Sequence, residues 1–268
     1  MRGRHGNALR IQGVSKPICY IMHWSKRRSN RDMTCKVKGI LLRISPTVRD
    51  ERMLTILTDR LGCIAVFQKS GRKVQYDQFY YGEWVLYQTG GGNYLLNGFA
   101  PEELFHPLRE QMENTFLASY FAQMVLYFGR DEENDCSELL PLLLNGLYLL
   151  GKGKDPLLVK SVFELKTMQL MGYCPTLATC GHELTYFSLE DGSLCCDACA
   201  APNKSVRVSA TTLAALAHIL NKAPSKAYGF SIPKDDLLGL SLLAERFSEY
   251  HLELRASALQ MWKDIYHE

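Results

Sequence analysis

Apolar and polar residues alternate in short runs between residues 33 and 100. The runs occupy residues 36–44, 53–58, 63–67, 83–87 and 94–99. Alternation with period two is typical of β-strands, because successive side chains point to opposite faces of a sheet. Turn signals separate the runs, for example the three glycines at positions 90–92. Five short strands within about 65 residues predict a small barrel or sandwich.

Beyond Pro101 the apolar period lengthens to that of an α-helix. One stripe with this period consists of Met112, Phe116, Tyr120, Met124 and Tyr127. Asp155 before Pro156, and Ser209 further along, are typical helix N-termini. We expect helices at residues 108–128, 137–151, 156–171 and 209–221, and from residue 234 to the end of the chain. Residues 174–203 show neither period and are predicted to be a loop.

These patterns predict an α+β multidomain protein. We expect a five-stranded barrel or sandwich at residues 33–100, and an all-helical domain with an inserted cysteine-rich, zinc-knuckle-like loop at 174–200 over residues 101–268. Residues 1–32 show no period and carry eight Lys or Arg against one acid. We interpret them as a basic extension that is disordered or non-native, with Met33 as the natural start. The alternative is a basic arm that contacts nucleic acid.

Net charge differs between the two predicted domains. Residues 33–100 carry +4 and residues 101–268 carry −8, within a total of +3. A basic front and an acidic back predict different partners for the two domains. The chain has no apolar stretch of about 18 residues, which predicts no membrane span. The glycines at 90–92 lack the Lys-Ser/Thr of a phosphate-binding loop, and no nucleophile elbow occurs, so we expect no enzyme.

The nine cysteines are clustered, with five of them in residues 174–199. An odd, clustered set favours a reducing compartment and a local metal site over a disulfide scaffold. Cys196 and Cys199 have the spacing of a zinc-binding pair. The predicted ligands of a structural zinc ion are Cys180, His182, Cys196 and Cys199. Cys174 remains an alternative to His182 and Cys195 an alternative to Cys196, and a set of free thiols is the alternative to any zinc site.

The front domain also carries cations and aromatic rings that suit single-stranded nucleic acid. Barrels of this kind bind single strands with a basic groove and with rings that stack on bases. The candidate contacts are Lys36, Lys38, Arg43, Lys69, Arg72, Lys73 and Tyr80. The turn with Lys69, Arg72 and Lys73 is the strongest signal, because its three cations lie together. For each lysine the alternative is a solvated surface charge. Trp84 is a further candidate ring for stacking, and its alternative is burial in the core.

Several short segments, in this order and spacing, resemble the RecO family. They are residues 39–43, 50–58, 108–109, 117–120, 163–166, 170–173, 187–188 and 250–252, together with Gly62, Lys69, Gly71, Arg72, Pro175, Leu177, Cys180 and Gly192. The similarity extends over residues 34–260. Counted from Phe187 and Ser188, the spacing of the zinc-binding cysteines in the family favours Cys196 over Cys195 as a zinc ligand.

The resemblance implies a bacterial, cytoplasmic mediator of DNA repair that is not an enzyme. Its front domain would be an OB-fold that binds single-stranded DNA and promotes annealing. With RecR it would help RecA replace the single-stranded-DNA-binding protein, SSB. The acidic C-terminal tail of SSB would bind the helical domain, and we expect Lys160 and Lys166 to contact it. The rivals are an adaptor that has lost DNA binding and a zinc-dependent enzyme acting on nucleic acid.

Overall fold

A computed structural model of the chain describes residues 33–47, 51–69, 75–129, 136–176, 185–254 and 256–266. The front domain contains the five predicted strands. They are β1 (Met33–Pro46), β2 (Arg52–Thr58), β3 (Cys63–Gln68), β4 (Tyr81–Gln88) and β5 (Tyr94–Glu103). The strands close into a barrel in the order β1-β2-β3-β5-β4, with β4 paired to β1. The β3–β5 pair is parallel and the other pairs are antiparallel, which is an OB-like arrangement.

Trp84 fills the centre of the barrel. Its side chain is fully buried, and its ring lies 4.0 Å from the ring of Phe99. The indole Nε1 donates a hydrogen bond of 2.9 Å to the carbonyl oxygen of Gly39. Gly39 faces Gly82 across the β1–β4 pair, and a Cβ atom on Gly82 would lie only 2.2 Å from the carbonyl oxygen of Ala100. The strands can therefore close around the indole of Trp84 only if the residue at position 82 has no side chain.

The helical domain contains six α-helices in the described residues. They are α1 (Met112–Phe128), α2 (Leu139–Gly151), α3 (Pro156–Leu170), α4 (Ala210–Asn221), α5 (Lys234–His251) and α6 (Ser257–Tyr266). Asp155 caps α3 by accepting a hydrogen bond from the Leu157 amide, and Ser209 caps α4 by accepting one from the Thr212 amide. The predicted final helix is divided, because Leu252 has an extended backbone with φ −107° and ψ 125°. None of the helices in the ranges given above is long and apolar enough to cross a membrane.

The cysteine-rich segment, predicted to be a loop, contains a small sheet. Its strands are β6 (Tyr186–Ser188), β7 (Leu194–Cys195) and β8 (Ser205–Arg207), in the order β7-β6-β8. Phe187 in the central strand is fully buried, and its ring lies 5.5 Å from Phe247 of α5. This contact attaches the sheet to the helical domain.

The barrel and the helices share one hydrophobic core. Ile40, Leu42 and Leu57 of the barrel belong to the same buried cluster as the core residues of α1 to α6. At the end of α1, a Cβ atom on Gly129 would lie 2.6 Å from the Cβ of Cys63, so the helix terminus is in direct contact with β3. The helices therefore cover one end of the β1–β2–β3 surface and leave the other end open.

A buried ionic network joins the helices of the back domain. The side chain of Lys160 in α3 is fully buried, and its Nζ lies 3.1 Å from a Glu164 carboxylate oxygen and 2.8 Å from Glu245 of α5. The Tyr120 hydroxyl of α1 donates a hydrogen bond of 2.8 Å to Glu164. Lys263 of α6 pairs with Glu245 on its outer side. Burial raises the pKa of Glu164 to about 7, although Lys160 opposes this shift.

This network corrects the prediction that Lys160 contacts a partner. An ammonium group with no exposed surface and two carboxylate partners is not available to an acidic tail. Lys166 is also buried, and its Nζ donates hydrogen bonds to Gln169 and to the carbonyl oxygen of Leu220. Both lysines hold helices together instead of forming a docking surface.

Replacing Lys160 with Met should destabilise the protein strongly. The substitution leaves Glu164 and Glu245 without their common counter-charge, and breaking a buried pair in this way costs about 3–5 kcal/mol. The free energy of unfolding is measured by urea denaturation. The matched control is Lys204→Met, because Lys204 pairs with Glu190 at the surface and should contribute little. Equal stability of the two variants would show that the buried network is dispensable.

Glu164 should also give stability a dependence on pH. Its pKa is raised from 4.5 to about 7 in the folded state, so the folded protein retains a proton that the unfolded chain has lost. The corresponding stabilisation is complete below the unfolded value and disappears as pH rises through about 7. In the Glu164→Gln variant this contribution should be absent. Between about pH 5 and about pH 8, the urea midpoint of the variant should therefore fall less than that of the wild type. A variant with the same pH profile as the wild type would contradict the assignment.

Candidate nucleic-acid interface

The open end of the β1–β2–β3 surface forms two rows of side chains across three strands. Arg43 pairs with Thr55, which pairs with Ala65 on β3. In the next row Ser45 pairs with Met53, which pairs with Phe67. Lys69 follows β3 with the same parity as Phe67, so its side chain continues this face. We call this surface, formed by Arg43, Ser45, Met53, Thr55, Ala65, Phe67 and Lys69, the three-strand face.

Phe67 provides an aromatic ring on the three-strand face. It is only partly buried, and among the described residues neither Phe67 nor Met53 packs against either hydrophobic core cluster. Phe99 and Tyr80, in contrast, pack against the barrel core. Sequence analysis missed Phe67, because Cys63-Ile-Ala-Val-Phe67 is a continuous apolar run with no polar position to show which residues point outwards. Phe67 lies two residues before Lys69. This spacing was the one signal in the sequence that could have shown that the two side chains share a face.

Arg43 and Lys69 are the exposed cations of this face. Neither forms an ion pair with any other residue that the structure describes. A shift of pairing register between Leu41 and Arg43 precedes the exposed guanidinium. Two further predicted contacts, Arg72 and Lys73, lie outside the described residues. Of the predicted set, the structure therefore places Arg43 and Lys69 on one face of the barrel.

Lys36 and Lys38 lie on a different part of the barrel and are paired with acids. Lys36 forms a salt bridge of 2.8 Å with Glu83, and Lys38 forms one of 2.8 Å with Glu102. The hydrogen bond to the Glu102 carboxylate, and then its charge, raise the pKa of Lys38. The groove beside these lysines is lined by Thr34, Lys36, Val37, Lys38, Asp59, Arg60 and Glu83. Its three cations are largely offset by two carboxylates, so it attracts a polyanion only weakly.

Tyr80 lies outside the three-strand face, at the junction between the barrel and the short 3-10 helix at His106–Arg109. Its ring stacks on Phe99 with a centroid distance of 6.4 Å. The guanidinium of Arg109 lies 5.6 Å from the ring centroid and donates hydrogen bonds to the carbonyl oxygens of Leu104 and Gln78. These contacts give Tyr80 a role in joining the two domains.

Among the described cysteines, Cys196 and Cys199 are joined by a backbone turn. The amides of Cys199 and Ala200 donate hydrogen bonds of 3.1 and 3.0 Å to the carbonyl oxygen of Cys196. This turn joins Cys199 to Cys196, whereas Cys195 lies in β7 opposite Tyr186. Cys174 is exposed at the other end of the segment.

The second predicted zinc pair, Cys180 and His182, lies outside the described residues. Within the residues that the structure does describe, no group of three or more His, Cys, Asp or Glu side chains is placed to hold a metal ion. Of the four predicted ligands, the described residues therefore include Cys196 and Cys199, which share one turn.

Comparison with known proteins matches most of the chain. The family model described as "Recombination protein O C terminal" matches residues 109–259. A protein named "DNA repair protein RecO" from Acetivibrio thermocellus is 26% identical over 247 residues, covering 86% of this chain and 96% of the relative. Proteins of the same name from Caldicellulosiruptor bescii and Dehalococcoides mccartyi are 30% and 26% identical, covering 63% and 85% of this chain and 73% and 94% of the relatives.

These matches confirm the resemblance drawn from the short segments. They extend from the barrel into the helical domain, and the family model covers more than half of the chain. The chain therefore belongs to the RecO family of DNA repair proteins, which act in recombination as mediators and not as enzymes.

Proposed function

We propose that the protein binds single-stranded DNA on the three-strand face of its barrel and promotes the annealing of complementary strands. With RecR it helps RecA to replace SSB on the bound strand. The observation that carries this proposal is the position of Phe67 on one face with two exposed cations, Arg43 and Lys69, neither of which forms an ion pair within the described residues. Membership of the RecO family supports the same function.

The three-strand face combines the two interactions that a single strand offers. Arg43 and Lys69 can each neutralise a phosphate, which releases condensed counterions and makes binding dependent on salt. Phe67 can stack on a base, an interaction worth about 1–3 kcal/mol and tolerant of sequence. β-Barrels with this topology bind oligonucleotides on the surface formed by strands β2 and β3, where Phe67 lies. The bases remain accessible for pairing when contacts are made mainly with phosphates and one face of a ring.

A second candidate function is that of an adaptor that binds proteins and not DNA. The pairing of Lys36 with Glu83 and of Lys38 with Glu102 favours it, because these salt bridges remove charge from one side of the barrel. The net charge of −8 on residues 101–268 points the same way. Under either function we propose RecR and the SSB tail as protein partners, on the basis of the family. Because Lys160 and Lys166 are buried, we propose a site for the tail at other residues of the helical domain.

We also propose that a structural zinc ion stabilises the cysteine-rich segment. Cys196 and Cys199 would bind it from their shared turn, together with Cys180 and His182. Cys174 is left out of this set, because the described residues include no group of three ligating side chains that joins it to Cys196 and Cys199. Two thiolates presented by one tight turn are a common half of a tetrahedral zinc site. Bound zinc would hold residues 174–200 as one unit against α5.

The double substitution Arg43→Gln/Lys69→Gln should weaken binding to a labelled single-stranded oligonucleotide by about tenfold at low salt. The slope of log affinity against log salt should become shallower by about 1.4, or about 0.7 for each lost cation. Fluorescence anisotropy measures both quantities across a series from about 50 mM to about 200 mM salt. A parallel series on protein lacking residues 1–32 separates the barrel from the basic extension.

The matched control for this experiment is Lys36→Gln/Lys38→Gln. It removes the same number of charges from the same barrel, but from lysines that already pair with carboxylates. We expect a much smaller loss of affinity. Equal losses in the two variants would remove the three-strand face from the proposal, and no binding by the wild type at low salt would favour the adaptor.

Zinc binding is tested by metal analysis of the purified protein, where we expect about one zinc ion per chain. Cys196→Ser and Cys199→Ser should each lose the metal, whereas Cys35→Ser, which changes a free thiol in the barrel, should retain it. His182→Ala should also lose the metal, whereas Cys174→Ser should retain it. Metal-free wild-type protein, or full occupancy in Cys196→Ser, would refute the proposed site.

A further inference from the structure

Two cysteines that are far apart in the sequence meet at the boundary between the barrel and the helices. Cys63 is the first residue of β3, and Cys136 lies between α1 and α2. Cys136 is a member of the buried cluster that both domains share, and Cys63 packs against that cluster. Each of them is present as a thiol. Neither is among the predicted zinc ligands or the residues that define the three-strand face.

Two glycines make room for these thiols. A Cβ atom on Gly62 would lie 3.9 Å from both the Cβ and the Sγ of Cys136, so Cys136 packs against the backbone that leads into Cys63. A Cβ atom on Gly129, at the end of α1, would lie 2.6 Å from the Cβ of Cys63 and 3.2 Å from its Sγ. Burial, and then the charge of a Cys136 thiolate, raise the pKa of the Cys63 thiol to about 12, which places each sulfur atom within reach of the other's charge.

We propose that Cys63 and Cys136 form a disulfide bond when the protein is exposed to a peroxide, and that this bond fastens the barrel to the helical domain. The inference goes beyond the proposed function, because it depends neither on DNA binding nor on zinc. Disulfides in a reducing compartment are usually transient and respond to oxidants, which is the behaviour assigned to this pair.

Exposure assigns different roles to the two thiols. Cys63 is partly exposed, so a peroxide can reach its sulfur atom, whereas Cys136 is buried. The Cys63 thiolate attacks one oxygen of hydrogen peroxide, the O–O bond breaks, and a sulfenic acid and hydroxide form. The hydroxide takes up the proton that the Cys63 thiol released and becomes water.

Cys136 then acts as the resolving thiol. Its sulfur attacks the sulfenic sulfur of Cys63, the S–O bond breaks, and the oxygen leaves as water with the proton of Cys136. In total, two thiols and one hydrogen peroxide give one disulfide and two waters. The two electrons lost by the sulfur atoms reduce the peroxide oxygens, so no further oxidant is needed.

The surroundings of Cys63 make its oxidation slow and dependent on pH. Its pKa of about 12 leaves little thiolate at neutral pH, although the nearby charge of Arg43 opposes the shift. Because the thiolate is the reactive form, the rate should rise about tenfold for each pH unit between about pH 7 and about pH 9. The pair therefore responds to sustained exposure to peroxide and not to a brief one.

The new bond would cross the boundary between the two domains. It closes a loop of about 70 residues, which includes β4, β5 and α1, and a closed loop of this length restricts the unfolded chain strongly. In a protein of this size the midpoint of thermal unfolding should rise by roughly 5–10 °C. The added stability lasts only until a reductant returns the pair to thiols.

The test treats the full-length protein with hydrogen peroxide, blocks the remaining thiols by alkylation and maps the linked peptides by mass spectrometry. We expect one peptide pair joined through Cys63 and Cys136, formed about tenfold faster for each added pH unit. Cys63→Ser and Cys136→Ala should not form it, whereas Cys35→Ser, which changes a cysteine within the barrel, should behave as the wild type.

The thermal midpoint provides a second readout. Peroxide also reaches the cysteines of residues 174–199, so the wild type is compared with Cys63→Ser after the same treatment. We expect the treated wild type to have the higher midpoint and to lose this difference after reduction with a dithiol.

Three outcomes would overturn the inference. They are the absence of the linked peptides after prolonged treatment at about pH 9, the linkage of Cys63 mainly to another cysteine, and an equal change of midpoint in the wild type and Cys63→Ser. Peptide mapping uses the wild type, so its result does not depend on whether the variants fold.

Discussion

The ammonium group of Lys160 is the constraint on which the helical domain depends. It is fully buried between the carboxylates of Glu164 and Glu245, and the Tyr120 hydroxyl donates a hydrogen bond to Glu164. Because an unpaired charge is very unfavourable in such a position, α1, α3 and α5 can pack only in the arrangement that brings these side chains together. Lys263 extends the same requirement to α6. The network specifies an arrangement of helices that apolar packing alone would leave less defined.

The position of the helices in turn decides which part of the barrel is open. Ile40, Leu42 and Leu57 point towards α1 and complete the common core. One step further along the same strands, Arg43 and Thr55 remain outside it. The three-strand face is therefore open because the helices cover only one half of the β1–β2–β3 surface, and α1 ends at Gly129. Sequence alternation alone could not separate the covered half from the open half.

Much of the secondary structure was predictable because its causes are local. The alternation in β1 to β5 and the caps of α3 and α4 are properties of neighbouring residues, and the structure confirms them. The strands β6 to β8 have only two or three residues, too few to show a period. The burial of Lys160 was not predictable, since an isolated lysine between apolar residues gives no sign of two carboxylate partners, one of them 85 residues away.

The candidate site shows the same division between local and distant causes. Arg43 and Lys69 were identifiable as cations, but the pairing of Lys36 and Lys38 depends on the register between β1 and β4 and on the path of β5. The spacing of Cys196 and Cys199 is local, and the structure places the two residues in one turn, whereas their role as zinc ligands stays a prediction.

The shared core also limits how the two domains can move. Domains joined by a small polar interface usually rotate against each other, but here side chains of both domains occupy one apolar interior. The barrel and the helices therefore present their surfaces in a constant relative orientation. A strand held on the barrel would meet any second ligand at a set distance and angle. The search for matching sequence would then be carried out by the flexibility of the nucleic acid, while the protein supplies an unchanging frame.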